Sequence, residues 1–174
     1  MTRRTLLAVA AGLAPGVSMA GPLTGRRLPS FSLPDTTMKV HDVLDYRGKP
    51  LIIDIMQTGC PHCQTLAPNL ERVKQKYAGK IGVLSIVVPP DTQATVAQFV
   101  ARFRVSSPIL FDCGQATAAI LKINPRSPKI DLPQLFLVDR SGMIREDWTW
   151  SEATKQIFEG QGLDAAVDRV LQGK

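Results

Sequence analysis

Two thiols three residues apart, in the run Gly59-Cys60-Pro61-His62-Cys63, are the groups in this chain best suited to covalent chemistry. They follow a near-continuous apolar hexapeptide, Leu51-Ile-Ile-Asp-Ile-Met56, and precede apolar positions at helical spacing, Leu66, Leu70, Val73 and Tyr77. Cys60 is therefore expected at or just before a helix N-terminus, where unpaired backbone N–H groups and the positive end of the helix dipole favour negative charge on sulfur. Pro61 suits the first helical turn because its missing donor is not needed there. His62, when protonated, adds a second positive charge. A thiolate is the attacking species in disulfide exchange, and a second thiol one turn further in can attack the mixed disulfide and release the product. The spacing thus points to a redox couple of Cys60 and Cys63.

Other uses of two such cysteines are weaker. A structural disulfide gains more from bridging distant segments than from closing a loop this short. A zinc site needs four ligands, and the chain offers only Cys113 and His41 beyond the cluster. A copper-carrying module of related architecture would space its cysteines by three residues and supply a distal histidine, and neither feature is present. No metal and no dissociable cofactor are expected. Cys113 follows a short apolar run and reads as an inert core thiol, with a third redox or mixed-disulfide thiol as the alternative.

The elements that must position the pair can be read from periodicity. Leu51 to Met56 is apolar on both faces and is expected as a central strand. Pro61 to Tyr77 is an amphipathic helix with Pro68 inside it, where a kink is expected. Ile81 to Val88 is a second strand, and Asp91 or Thr92 can cap a helix whose face is Val96, Phe99, Val100 and Phe103. Pro108 to Phe111 leads into a helix over Gly114 to Leu121. Gln134 to Val138, the turn Asp139 to Gly142 and Met143 to Trp148 form a hairpin, and a last helix uses Leu163, Val167, Val170 and Leu171. Ahead of all this, Leu28 to Gly48 reads as a small β-hairpin and Gly21 to Arg27 as a polar linker. Trp148 and Trp150, two apart, read as packing residues of one strand face. The order implies an α/β protein, with a central mixed β-sheet, helices on both faces and an added N-terminal hairpin.

Composition narrows the class further. The 174 residues are 44% hydrophobic and 21% charged, as in a soluble domain with a packed core. Residues 1–20 combine Arg3 and Arg4, an apolar run from Leu6 to Val17, and the small residues Ser18 and Ala20, and read as a signal peptide leading to the bacterial periplasm. No apolar run reaches the roughly 20 residues of a membrane span, and a retained lipid anchor is the alternative for this segment. The twin arginines suggest the twin-arginine export route. The net charge of +6 includes those two arginines, and the remaining basic residues are scattered without aromatic neighbours, so no nucleic-acid partner is expected. Export matters because disulfides form and persist outside the cytoplasm.

With these residues in place, the chain resembles the thioredoxin superfamily, and within it the exported TlpA-like, or redoxin, branch, over residues 28 to 170. Besides the CxxC, the resemblance is carried by Leu28-Pro-Ser-Phe-Ser-Leu-Pro-Asp35, Tyr46-Arg-Gly-Lys-Pro50, Pro108-Ile-Leu-Phe-Asp112 and Pro133-Gln-Leu-Phe-Leu-Val-Asp139. It implies a thioredoxin-like domain at 28–174, Cys60 as nucleophile and Cys63 as resolving thiol. Pro133 takes the place of the superfamily's cis-proline, leaving Leu132 to pair with substrate backbone. Asp54 stands where thioredoxins bury an acid beneath the disulfide, and there it would have a raised pKa and shuttle the Cys63 proton. Pro68 matches the helix-kinking proline. The implied activity is thiol-disulfide exchange with protein thiols, supported by an upstream redox partner that could be membrane-bound.

Two departures bear on substrate and direction. Gly59 replaces the aromatic usually found before the first cysteine, which opens the site to a larger substrate. The Pro-His dipeptide resembles that of DsbA-type disulfide donors, whereas the scaffold is of a branch known for reducing roles such as cytochrome c maturation. The expectation leans to a reductase, with a disulfide donor or a non-enzymatic copper- or zinc-binding chaperone as alternatives. Thiol peroxidase chemistry is disfavoured, because the P-x-x-x-[ST]-x-x-C pattern would need Ser or Thr at position 57, where Gln stands. Asn124 to Asp131 lengthens the approach to Pro133.

Overall fold

Strand β3 (Leu51–Met56) is buried along its whole length, and the rest of the domain is arranged about it. The computed structural model describes residues 21–124 and 129–173. The expected signal segment and residues 125–128 of the approach to Pro133 lie outside them. Among the described residues a five-stranded sheet has the order β5-β4-β3-β6-β7, with β4 (Gly82–Val87), β5 (Ile109–Phe111), β6 (Gln134–Val138) and β7 (Ile144–Thr149). β3 pairs parallel to β4 on one side and antiparallel to β6 on the other, so the sheet is mixed, as expected.

Side chains alternate across the sheet. Leu51, Ile53 and Ile55 pack with Leu84, Ile86, Leu110 and Phe136 on one face, which α3 (Gln115–Leu121) covers through Ala116 and Ile120. Ile52 faces the other way, into a cluster with Leu66, Leu70 and Val73 of α1 (Pro61–Lys76) and with Leu163, Val167 and Val170 of α5 (Leu163–Leu171). Met56, two residues past Asp54, packs with Cys63, Ala67 and Val96 at the boundary between α1 and α2 (Gln93–Phe103). Asp54 shares this α1-facing side with Ile52 and Met56. Thr92, one of the two expected caps, is the N-cap of α2, its hydroxyl accepting the Thr95 N–H. A short helix, α4 (Lys155–Phe158), and a 3-10 turn at Val43–Tyr46 are additions to the predicted elements.

Both sheet edges are covered, which blocks edge-to-edge pairing. The predicted hairpin forms as β1 (Ser32–Pro34) and β2 (Val40–Asp42), and Asp35 bridges it to Leu110 of β5. At the other edge the structure corrects the reading of residues 21–27 as a linker. Leu23 N–H and Thr24 hydroxyl donate to the Asp147 carboxylate at 3.1 and 2.6 Å, Gly25 N–H donates to the Ile144 carbonyl, and Arg27 bridges to Met143. The polar character that suggested solvation instead supplies donors to an acid on β7. An apolar pocket lined by Leu28, Val43, Tyr46 and Leu51 lies at the end of β3 opposite the cysteines.

Candidate functional site

The junction between β3 and α1 places both cysteines. Cys60 is the N-cap of α1 with extended backbone (φ −77°, ψ 120°), Pro61 is in the first turn, and the Cys60 sulfur accepts the Cys63 N–H at 3.5 Å. One free backbone donor of the helix terminus is thus directed at Cys60 sulfur. Cys60 is half-buried, whereas Cys63 is fully buried and the two sulfurs are unbridged. The asymmetry gives the pair two distinct chemistries. Burial, the nearby Asp54 and a hydrogen bond with Cys60 push the Cys63 thiol well above its ordinary range.

Asp54 lies 1% exposed in the middle of β3 and is an interior group. Burial pushes its carboxyl up to about 7, against the lowering effect of a hydrogen bond from Ser85, its register partner on β4. One oxygen, Oδ1, has no hydrogen-bond partner among the described residues. A buried acid with a spare oxygen and a pKa near neutrality can take a proton from a neighbouring thiol and give it back.

The other wall of the site is the segment before β6. The Leu132–Pro133 peptide bond is cis, and the Leu132 carbonyl lies 4.0 Å from the Cys60 sulfur. The structure thus brings together every predicted site residue: Cys60, Pro61, His62, Cys63, Asp54, Leu132, Pro133 and Gly59. Gly59 is exposed, and a Cβ there would meet nothing within 4 Å. It opens on a cavity of about 220 Å³ lined by Thr58, Gln64, Gln98, Phe99 and Arg102.

Three features escaped the sequence reading. Asp91, considered only as a helix cap, instead clamps the loop before Cys60. Its carboxylate accepts the Thr58 N–H at 2.8 Å and the Thr58 and Thr95 hydroxyls, while Gln64 Nε2 donates to the Thr58 carbonyl at 2.9 Å. Trp148 is core, as expected, but Trp150 stacks on His62 with ring centroids 3.7 Å apart and planes 16° from parallel. No local signal marks this contact, since 88 residues separate the rings. Cys113 is the third and a correction: it is exposed, not a core thiol. The preceding Asp112 is turned inward, its carboxylate accepting the Ala116 and Thr117 N–H groups at the start of α3, which directs the next side chain to solvent. Among the described residues no cluster of three or more metal-ligating side chains is present.

The sheet order and the dithiol at its central junction place the chain among the thioredoxin-fold thiol-disulfide oxidoreductases. Residues 24–147 match the AhpC/TSA family, and the chain belongs to that family, in the TlpA-like branch of the thioredoxin superfamily. Thiol-disulfide oxidoreductase ResA of Bacillus thuringiensis (strain Al Hakam) is 29% identical over 137 residues, which is 78% of this chain and 75% of that protein. Among solved structures, a hypothetical protein of Sinorhizobium meliloti 1021 aligns with a TM-score of 0.71 at 25% identity, covering 87% of this chain and 85% of that one. A thiol:disulfide interchange protein of the thioredoxin family from Chlorobium tepidum TLS aligns with a TM-score of 0.68 at 20% identity, over 87% of this chain and 98% of that one.

Proposed function

We propose that this chain is an exported oxidoreductase that reduces disulfides of protein substrates through Cys60 and Cys63, with no dissociable cofactor. The observation that carries the reading is the burial asymmetry: a half-exposed sulfur at a helix N-terminus next to a fully buried thiol and a buried acid. The Cys60 thiolate attacks one sulfur of the substrate disulfide, forming a mixed disulfide and releasing the first substrate thiolate. Cys63 then transfers its proton to the Asp54 carboxylate and attacks the Cys60 sulfur, forming the Cys60–Cys63 disulfide and releasing the second. Two electrons pass to the substrate in all; Asp54 hands the Cys63 proton to the second departing thiolate, the first takes its proton from solvent, and an upstream dithiol restores the pair. Leu132 offers its backbone to the substrate chain opposite Cys60, and the open flank at Gly59 accommodates a bulky or folded substrate.

Export is supported by the composition of residues 1–20, and among the described residues no helix is long and apolar enough to cross a membrane. A periplasmic location would give the pair access to disulfides that persist there. The reducing direction is supported by the scaffold, and the Pro-His dipeptide favours the alternative of disulfide donation. The two are separated by rates: reduction of insulin with dithiothreitol as electron source, against oxidative refolding of reduced ribonuclease in a glutathione disulfide buffer. The expected result is faster turnover in the first assay. Faster turnover in the second would make the protein a disulfide donor.

A further inference from the structure

His62 and Trp150 make the most specific side-chain contact at the site that the exchange chemistry does not use. Neither ring is held by full burial, and yet they lie nearly parallel at 3.7 Å. The backbone that carries the indole is tied down. The Trp150 backbone N–H donates to the Pro133 carbonyl at 3.3 Å, the Thr149 hydroxyl donates to Gln134 Oε1 at 2.9 Å, and the Thr149 carbonyl accepts the Thr154 hydroxyl at 2.7 Å. The platform under His62 is therefore tied to the same cis-proline segment whose Leu132 carbonyl faces Cys60. The first turn of α1 holds no acid that could orient the imidazole instead. On neighbouring elements Lys155 pairs with Glu159 and Lys129 with Asp131, while Glu152 is exposed in the turn after Trp150. The titratable groups of the site itself are the thiols of Cys60 and Cys63, which flank His62 in the chain, and the Asp54 carboxyl that acts on Cys63.

We propose that Trp150 is a positioning residue for His62, holding the imidazole ring flat against its indole so that any positive charge on that ring stays beside Cys60 and makes the Cys60–Cys63 pair more oxidising. The electron-rich face of an indole attracts a cation stacked on it. A charge pinned in the first turn of α1 stabilises the thiolate of the reduced pair, and whatever stabilises the reduced form raises the reduction potential. Without the indole the side chain is free to swing its charge into solvent, and the reduced form loses that support. The indole thereby offsets part of the reducing character that the scaffold suggests.

The inference rests on the oxidoreductase reading above, and one set of titrations tests both. The wild-type protein, Trp150→Leu, Trp150→Phe, His62→Gln and the double variant His62→Gln/Trp150→Leu are equilibrated with glutathione buffers. Leu preserves apolar packing where Trp150 meets the α1–α5 cluster. Trp150→Leu is expected to shift the equilibrium about threefold toward the disulfide, equivalent to about 14 mV. Trp150→Phe restores at least half of that shift, and His62→Gln shifts in the same direction. In the His62→Gln background Trp150→Leu has no further effect, because the coupling between the two sites is then gone. A Trp150→Leu equilibrium equal to wild type, a His62→Gln equilibrium equal to wild type, or a Trp150 effect that persists without His62 overturns the inference and leaves the oxidoreductase reading standing. A wild-type protein with no reversible two-electron couple overturns both.

Discussion

Cys60→Ser is expected to bring disulfide exchange down to the uncatalysed background, and Cys63→Ser to keep the first attack and stall after it. The difference follows from position. Cys60 is the half-exposed sulfur that a substrate can reach beside Leu132, and removing it removes the nucleophile. Cys63 is fully buried, so it cannot meet a substrate and can attack only the sulfur of its neighbour. Its loss leaves the substrate tethered to Cys60. Non-reducing electrophoresis after mixing with an oxidised protein substrate checks this, with a covalent adduct expected for Cys63→Ser and none for Cys60→Ser. Cys113→Ser leaves the rate unchanged, since this exposed thiol belongs to the turn before α3 and not to the β3–α1 junction.

The second large effect is a pH-dependent stability inversion at Asp54. The carboxyl titrates at about 7 in the folded protein and at its ordinary value of 3.8 when unfolded. Between these values the unfolded chain has released the proton and the folded chain retains it, so stability falls as pH rises through this window. Above about pH 7 the loss is complete, on the order of 4 kcal/mol. Asp54→Asn has no carboxyl to ionise and is spared that loss. Its denaturation midpoint is expected to match that of the parent near pH 4 and to exceed it clearly at pH 8. The gain in stability comes with a loss of function: without the acid to accept the Cys63 proton, the resolving step slows by about 10²-fold at neutral pH. Urea denaturation across that range, with single-turnover exchange beside it, checks both halves. A variant no more stable than the parent at pH 8 would mean that Asp54 is better solvated than its burial indicates.

Much of this was legible in the chain because local chemistry and tertiary structure agree. The apolar hexapeptide Leu51 to Met56 is the central strand, Pro61 opens α1 directly after its N-cap, and the two-residue alternation puts Asp54 on the α1-facing side of β3 with Met56, which packs against Cys63. The unread parts depend on where a side chain goes after the backbone is placed. Polarity alone made residues 21–27 a linker, whereas their N–H and hydroxyl groups find the Asp147 carboxylate more than 100 residues away. The apolar run before Cys113 suggested a buried thiol, but Asp112 is the residue that turns inward to cap α3. Trp150 looked like a second packing tryptophan, and its stack on His62 exists only because β7 ends beside the start of α1. The Asp91 clamp is of the same kind: a residue read as a cap reaches back across the site to hold Thr58.

Cys60 and Cys63 are proposed to form one reversible two-electron couple. Its most direct test equilibrates the full chain with a series of glutathione buffers, quenches with acid, alkylates the free thiols and locates the label on each cysteine by mass spectrometry. Cys60 and Cys63 are expected to lose label together along one two-electron curve while Cys113 stays labelled throughout. Protection of Cys60 or Cys63 singly, or pairing of either with Cys113, would contradict it.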